Sequence, residues 1–200
     1  MKRLSYSIYH LAFSAALVCV VLTSCLNGDD DNSQQGMSKQ QIHECYLHMA
    51  GGHSGKMYFE KKDEETNLVK SDSIDISWTV VNDSIITIHD VPARVLGSMV
   101  ENENLKAAIE TAGNVEIKVF YLPYLISPIS FELYPQPVKA NIFYADATHS
   151  VTFGFYFNDY SWGKQEDNKM KLQLVQYGVY LDDSNYPYLS SQIPLMLQEK

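Results

Sequence analysis

Apolar and polar residues alternate with a period of two over much of the chain after residue 50. The clearest example runs from Ile74 to Val80, where isoleucine, tryptophan and valine alternate with aspartate, serine and threonine. This pattern is typical of a strand with one buried face. Asn82 and Asp83 follow, and both residue types tolerate the positive φ of a tight turn. We therefore predict a hairpin between this strand and the apolar run from Ile85 to Val91.

The same alternation predicts further strands that are joined by short turns. They cover residues 52–60, 115–122, 129–134, 139–145, 150–158 and 170–181, and a short candidate lies at 68–69. Prolines flank the strand at 129–134, which predicts a short strand or an edge strand because proline cannot donate to a sheet ladder. In the strand at 150–158, one face carries the residues that we predict to form the aromatic centre of the core, namely Val151, Phe153, Phe155 and Phe157.

Helices are predicted where the apolar spacing lengthens to that of a helix. Ser38 can cap a helix from Lys39 to Met49, whose apolar residues recur along one face. In the centre of the chain, Pro92 suits the first turn of a helix, where its missing N–H costs nothing. Residues 93–99 and 102–111 are therefore predicted to be helical.

These elements define the predicted fold class. Sequential strands with short connections favour antiparallel pairing. We predict an α+β domain over residues 38–200 that is mainly antiparallel β, with an N-terminal helix and a central helical insertion. The curved sheet is expected to form either a sandwich or a partly open barrel of the calycin-like kind. The helical insertion argues against a closed barrel.

The N-terminal region predicts a secretion signal. Lys2 and Arg3 precede a nearly uninterrupted apolar run from Leu11 to Thr23, which is the length of a signal-peptide core and too short to span a membrane. The run ends in Leu22-Thr23-Ser24-Cys25, which has the small residues and the cysteine of a lipobox. We interpret residues 1–24 as a lipoprotein signal peptide and Cys25 as the lipidated residue, which would bind the membrane through its acyl chains. An ordinary secretory peptide and an uncleaved N-terminal anchor are the alternatives.

Residues 25–37 are polar and glycine-containing, and they include three consecutive aspartates at 29–31. Such a segment has little to bury, so we predict a flexible acidic tether between the lipid and the folded domain. A calcium loop of the EF-hand kind is not indicated, because the spaced ligands and the final glutamate are missing. Acidic residues just after a lipidated cysteine resemble the surface-export signal of Bacteroidota lipoproteins.

The whole chain resembles the uncharacterised lipoproteins of Bacteroides-type bacteria. The resemblance rests on the lipobox at Cys25, the acidic tether and the segments 46–59 and 73–91. It implies a lipid-anchored protein of the cell envelope, held at the outer membrane, with the cell exterior and the periplasm as the two alternatives for the side it faces. It implies no catalytic residues.

The net charge argues against nucleic-acid binding, and the cysteine content argues against an intramolecular disulfide. The formal net charge is −9, and removal of Lys2 and Arg3 with the signal peptide lowers it by two, to −11. Arg94 is then the one remaining arginine, so binding to nucleic acid is not expected, because phosphate neutralisation needs clustered cations. Cys19 lies in the signal peptide and Cys25 carries the lipid, which leaves Cys45 without an intramolecular disulfide partner.

One candidate chemical site lies on the N-terminal helix and just after it. His43 and His48 are five residues apart, whereas a zincin helix needs two histidines four residues apart so that both reach one metal ion. Cys45 and His53 could complete a set of ligands, and a hydrolase or metal-dependent enzyme built on these four residues is the alternative function. We predict no catalytic residues, metal or cofactor here, since exposed helix histidines and a core cysteine explain the same pattern.

A second candidate site combines aromatic rings with polar groups. It consists of Tyr156, Asn158, Asp159, Tyr160 and Trp162. Rings can cover an apolar ligand face while amides and carboxylates bind its hydroxyls, so a glycan, a peptide or a small apolar ligand would suit this site. The rings could equally fold back over the end of a barrel. From these observations we predict a non-enzymatic ligand-binding or accessory lipoprotein.

Overall fold

The structure, a computed structural model, describes residues 36–63, 66, 68–189 and 191–200. The predicted signal peptide, Cys25 and nearly all of the tether lie outside these residues. The helices are α1 (Lys39–Met49), α2 (Ala93–Leu96) and α3 (Glu103–Glu110). The strands are β1 (Gly51–Lys62), β2 (Val69–Asn82), β3 (Ile85–Pro92), β4 (Asn114–Ile126), β5 (Ile129–Pro135), β6 (Val138–Tyr144), β7 (Ala147–Tyr156), β8 (Trp162–Glu166), β9 (Lys169–Leu181) and β10 (Ile193–Glu199).

Eight of these strands form a closed antiparallel barrel in the order β1-β2-β3-β4-β5-β8-β9-β10. The barrel closes where β10 pairs with β1, with Gly55 opposite Glu199. The predicted antiparallel β fold with an N-terminal helix and central helices is confirmed. Of the two expected architectures the barrel is the one formed, but it is closed rather than partly open, because β10 pairs with both β1 and β9. The expectation that the helical insertion would prevent closure was wrong, since β3 and β4, which flank it in sequence, pair directly with each other.

The strands β6 and β7 extend the sheet beyond the barrel. The first half of β9 pairs with β8, and its second half, from Val175 to Leu181, pairs with β7 instead. On its other edge β9 pairs with β10. Where β9 changes partner, Leu174, Val175 and Gln176 are buried in succession, so both faces of the strand are covered there. Lys169, Lys171 and Tyr177 are exposed on one face.

Side chains fill the interior of the barrel. Large residues with no exposed surface lie at its centre, among them Trp78, Phe131, Met57, Ile88 and Ile117. The indole Nε1 of Trp78 donates to the sulfur of Met170 at 3.2 Å, so the one polar group of this ring has a partner. Position 163 requires glycine for packing, because a Cβ there would lie 1.9 Å from Cε2 of Phe131.

Helices cover both ends of the barrel. At one end, α1 begins at the predicted cap Ser38, whose hydroxyl accepts from the Gln41 N–H, and it buries Cys45 and Met49 against the core. At the other end, α2 and α3 follow β3 and bury apolar residues that include Leu96, Leu105 and Ile109. The amide of Gln176 on β9 donates to the Leu96 carbonyl at 2.9 Å and ties this helical pair to the barrel.

The structure decides between the two alternatives for β5 and corrects two other sequence-based expectations. Strand β5 is short but not an edge strand, because it pairs with β4 on one side and β8 on the other. Phe157 does not join the core: β7 ends at Tyr156, and 57% of the Phe157 surface is exposed beside the Tyr134 ring. The segment 162–166, which was expected to be part of a loop, forms β8 of the barrel. Within the described residues, no helix combines the length and the apolar character that crossing a bilayer requires.

Candidate functional site

The histidines and the cysteine of the first candidate site do not converge. His43 and His48 are exposed on α1, and Cys45 is 1% exposed in the core. Burial raises the pKa of the Cys45 thiol, which disfavours the nucleophilic thiolate. No group of three or more histidine, cysteine, aspartate or glutamate side chains within the described residues could hold a metal ion.

His53 instead connects three elements of the fold. Its Nε2 lies 2.8 Å from the Met49 carbonyl oxygen, and its Nδ1 lies 2.9 Å from Oε1 of Glu199. Its ring stacks on Trp78 with 5.8 Å between the centroids. The Met49 carbonyl oxygen can only accept, so Nε2 donates to it, and Nδ1 lies within hydrogen-bond distance of the Glu199 carboxyl group. This arrangement ties α1 to β1 and β10, which is a structural role.

The second candidate site is brought together only in part. Tyr156 ends β7, and Asn158–Tyr160 forms a short 3₁₀ helix that places the Tyr160 ring 4.9 Å from the Tyr156 ring. Asp159 is exposed beside them. The side chain of Asn158 lies outside the described part of the structure. Trp162 lies on β8, half-buried, with Nζ of Lys171 5.9 Å from its ring centroid, so it belongs to the barrel wall rather than to the loop.

Strand β9 supplies two further aromatic rings. Tyr177 lies 4.8 Å from Tyr156 between ring centroids, and Tyr180 lies 6.2 Å from Tyr177. We call the four rings Tyr156, Tyr160, Tyr177 and Tyr180 the tyrosine cluster. Burial is the main cause that raises the pKa of Tyr180, and the neighbouring rings of Tyr177 and Tyr156 add to it.

Two glycines allow the cluster to lie close to the sheet. A Cβ on Gly154 would lie 2.8 Å from Cζ of Tyr177, and a Cβ on Gly178 would lie 2.4 Å from Cε2 of Tyr180. Each ring therefore covers a strand position that has no side chain. The run Tyr177-Gly178-Val179-Tyr180, with a glycine between two tyrosines, was the sequence signal that could have predicted these two members.

The tyrosine cluster is accessible to a ligand. Tyr160 exposes 55% of its surface and Tyr177 exposes 37%. Polar groups lie beside the rings: the Gln192 amide donates to the Tyr156 hydroxyl at 3.3 Å, and the Gln173 amide donates to the Tyr160 carbonyl at 3.1 Å. A further segment with tyrosines, 182–188, follows β9 directly, and the Tyr188 N–H donates to the Val179 carbonyl at 2.8 Å. Asp182 accepts from the Ser150 N–H, at the opposite end of β7 from Tyr156.

Comparison with known protein families matches residues 48–181 to a domain of unknown function, DUF4840. The chain belongs to this family. The matched range of the DUF4840 domain begins at the end of α1 and includes both β9 and the tyrosine cluster, whereas β10 follows it. Neither a curated protein nor a solved structure matches the chain.

The DUF4840 domain has a further concave surface that sequence reasoning missed. A cleft of about 470 Å³ lies between the end of β1 and the helices α2 and α3. Its lining includes four cations, Lys61, Lys62, Arg94 and Lys106, and we call it the basic cleft. The cations come from three elements that are distant in sequence, so no local motif indicated the site.

Proposed function

We propose that this DUF4840 protein is a lipoprotein of a bacterial cell envelope, anchored to the outer membrane through acyl chains on Cys25. The observation that carries the proposal is Leu22-Thr23-Ser24-Cys25, placed at the end of an apolar run that follows Lys2 and Arg3. A cysteine that carries several acyl chains satisfies the need for more than one chain in stable anchoring.

Metabolic labelling with an alkyne fatty acid tests the anchor. The full chain is expressed in a bacterium that matures lipoproteins, and the incorporated label is detected by coupling a fluorophore. Cys25→Ser is expected to abolish the label and to release the protein from the membrane fraction. Cys19→Ser, which changes another cysteine of the apolar run, is expected to keep both. A label that persists in Cys25→Ser would contradict the proposal.

The acidic tether supports an outward-facing location. Aspartates 29–31 lie four to six residues after Cys25, as in the surface-export signal that this segment resembles. Protease treatment of intact cells is expected to digest the wild-type protein and to spare a variant in which all three aspartates are replaced by asparagine. Protection of the wild-type protein would instead indicate the periplasmic side.

Ligand binding without catalysis is the second part of the proposal, with the tyrosine cluster as the binding surface. The barrel interior is filled by side chains, so a ligand of this domain would bind on the outside. Exposed tyrosine faces beside Asp159 and Gln192 suit a glycan, because a ring covers the apolar face of a sugar while polar groups bind its hydroxyls.

A glycan array with the full chain in detergent tests this surface. Tyr160→Ala is expected to lower the affinity for the bound glycan by about tenfold or more, which corresponds to the loss of about 1.4 kcal/mol. Tyr124→Ala is the matched control, because Tyr124 is 58% exposed on β4 and lies outside the cluster. Equal losses in the two variants, or the absence of any bound glycan, would contradict a glycan site at the tyrosine cluster.

A further inference from the structure

We propose that the basic cleft binds a small dianion, namely a phosphate monoester carried on a sugar-sized body. This site is independent of the tyrosine cluster and of the lipid anchor. The first observation is its charge. Four cations and two carboxylates, Asp63 and Glu110, line the cleft. The chain as a whole has a formal charge of −9, so this concentration of cations is a local exception.

Two carboxylates near the cleft, Asp63 and Asp72, are engaged by lysines, whereas Glu110 lines the cleft from α3. Asp63 accepts from Nζ of Lys70 at 2.5 Å and from Thr66, and these hydrogen bonds hold its pKa well below the ordinary range. Asp72 accepts from Nζ of Lys61 at 2.6 Å, which lowers the pKa of that carboxyl as well. Both acids are therefore ionised and already partnered at neutral pH.

Lys62 and Arg94 are the cations that remain available to a ligand. Lys62 is half-buried at the end of β1, and Arg94 is exposed on α2. The ion pairs of the described residues include neither side chain. Arg94 and Asp72 attract each other electrostatically but do not form an ion pair. Lys106 lines the cleft on the α3 side, and its side chain is only 12% exposed. Its Nζ lies 3.7 Å from Oε2 of Glu103.

The walls of the cleft are held in place before any ligand binds. Ser98 is 4% exposed, and its hydroxyl donates to the Glu60 carbonyl at 2.8 Å, which fixes the segment after α2 against β1. Gly97 lets α2 approach α3, since a Cβ there would lie 2.8 Å from Cγ2 of Ile109. A preformed site loses less conformational freedom on binding, which favours affinity.

The size and chemistry of the cleft define the ligand class. The guanidinium of Arg94 presents a planar fork that matches two oxygens of a phosphate, and the Lys62 ammonium adds a point charge. A phosphate monoester carries between −1.5 and −2 charges near neutral pH, which complements the two positive charges of Lys62 and Arg94. A volume of about 470 Å³ exceeds the need of a bare phosphate and lies within the range of small-molecule sites.

Isothermal titration calorimetry on the full chain in nonionic detergent tests the proposal. Glucose 6-phosphate is the probe, and glucose at the same concentration and ionic strength is the neutral comparison. We expect heat of binding for the first and none for the second. Arg94→Gln and Lys62→Gln are each expected to lower the affinity by about tenfold or more. Lys118→Gln removes one exposed positive charge from β4, outside the cleft, and is expected to bind like the wild type.

The same phosphate chemistry could come from a lipid headgroup, and a vesicle assay separates the two sources. Vesicles of phosphatidylcholine with and without phosphatidic acid are compared by flotation with each variant. The site would be assigned to a lipid headgroup if phosphatidic acid increases vesicle binding of the wild type and of Lys118→Gln but not of Arg94→Gln, and if glucose 6-phosphate does not bind. Binding that is equal in Arg94→Gln and wild type in both assays, or no binding in either, would overturn the proposal.

Discussion

At the scale of single residues, His53 shows how one side chain holds several elements together. Its two ring nitrogens contact Met49 and Glu199, and Glu199 also accepts from the Met170 N–H at 2.7 Å. The ring is therefore part of a connected polar group at the α1 end of the barrel. Its position there could not be foreseen from the sequence, because Glu199 is 146 residues away.

We expect His53→Ala to lower the free energy of unfolding by about 2–4 kcal/mol, since it removes both hydrogen bonds of the ring and leaves the Met49 carbonyl and the Glu199 carboxyl group without these partners. Urea unfolding followed by tryptophan fluorescence measures the change. His48→Ala, at an exposed histidine of α1, is expected to change the stability by less than about 0.5 kcal/mol. Similar losses in both variants would mean that the contacts of His53 contribute nothing specific.

Tyr134 offers a pH-dependent test at the same scale. Its hydroxyl donates to Oε2 of Glu132, and this hydrogen bond, with a smaller effect of burial, raises the pKa of Tyr134 to about 12. The raised pKa means that the stability from this group is fully present below the ordinary tyrosine pKa of about 10 and is lost as the pH rises through about 12.

An alkaline titration followed by ultraviolet absorbance should therefore show late-ionising tyrosines. Tyr134→Phe is expected to remove one ring from the step near pH 12. Tyr121 is also expected in the late group, because burial raises its pKa. A late step of unchanged size in Tyr134→Phe would contradict the assignment.

At the scale of elements, the contact between β1 and β10 depends on one glycine. A Cβ on Gly55 would lie 1.9 Å from the carbonyl oxygen of Gln198, which is a backbone atom and cannot turn away. Gly52 lies on the same strand with nothing within 4 Å of the corresponding Cβ position. The two glycines form a matched pair for testing the pairing that closes the barrel.

Gly55→Ala is expected to separate β1 from β10 and to lower the free energy of unfolding by about 1–3 kcal/mol or more. Gly52→Ala is expected to leave it unchanged or to raise it by up to about 1 kcal/mol, because alanine restricts the unfolded chain. Hydrogen exchange of the β1 and β10 amides, with urea unfolding, measures both effects. A Gly55→Ala protein with wild-type protection in β10 would refute the close approach.

At the scale of the whole molecule, closure by β10 removes the two free edges that β1 and β9 would otherwise present. A chain that ends after Gln192 leaves both edges unpaired and exposes the apolar face that Leu195 and Leu197 cover. We expect this truncated chain to aggregate, as measured by size-exclusion chromatography with light scattering.

Removal of Lys200 alone is the control for this truncation. It removes an exposed ion pair with Asp75 and one hydrogen bond to the Ser54 carbonyl, while β10 stays intact. The shortened chain is expected to elute as the wild type does. If the chain without β10 also remains soluble and folded, closure of the barrel is not what protects its edges.

The alternation of apolar and polar residues by itself determined most of the strands. The helical spacing of apolar residues after Ser38 determined the N-terminal helix. The run from Ile74 to Val80 needs only its own residues to show a buried face, and Ser38 with Gln41 forms a capping box that local sequence encodes. The proposed lipobox at Cys25 likewise rests on a local motif. Short-range patterns of this kind report the period of an element and where it begins.

Only the tertiary structure decided how the barrel closes and where surfaces for ligands form. In β10, Pro194 hides the strand pattern, and the pairing of residue 55 with residue 199 joins positions that no local signal connects. In β8, the glycine at 163 is explained by the ring of Phe131 from another strand. The basic cleft forms because β1, α2 and α3 meet at one end of the barrel and bring together Lys62, Arg94 and Lys106. Such sites depend on long-range packing, which residue spacing along the chain does not encode.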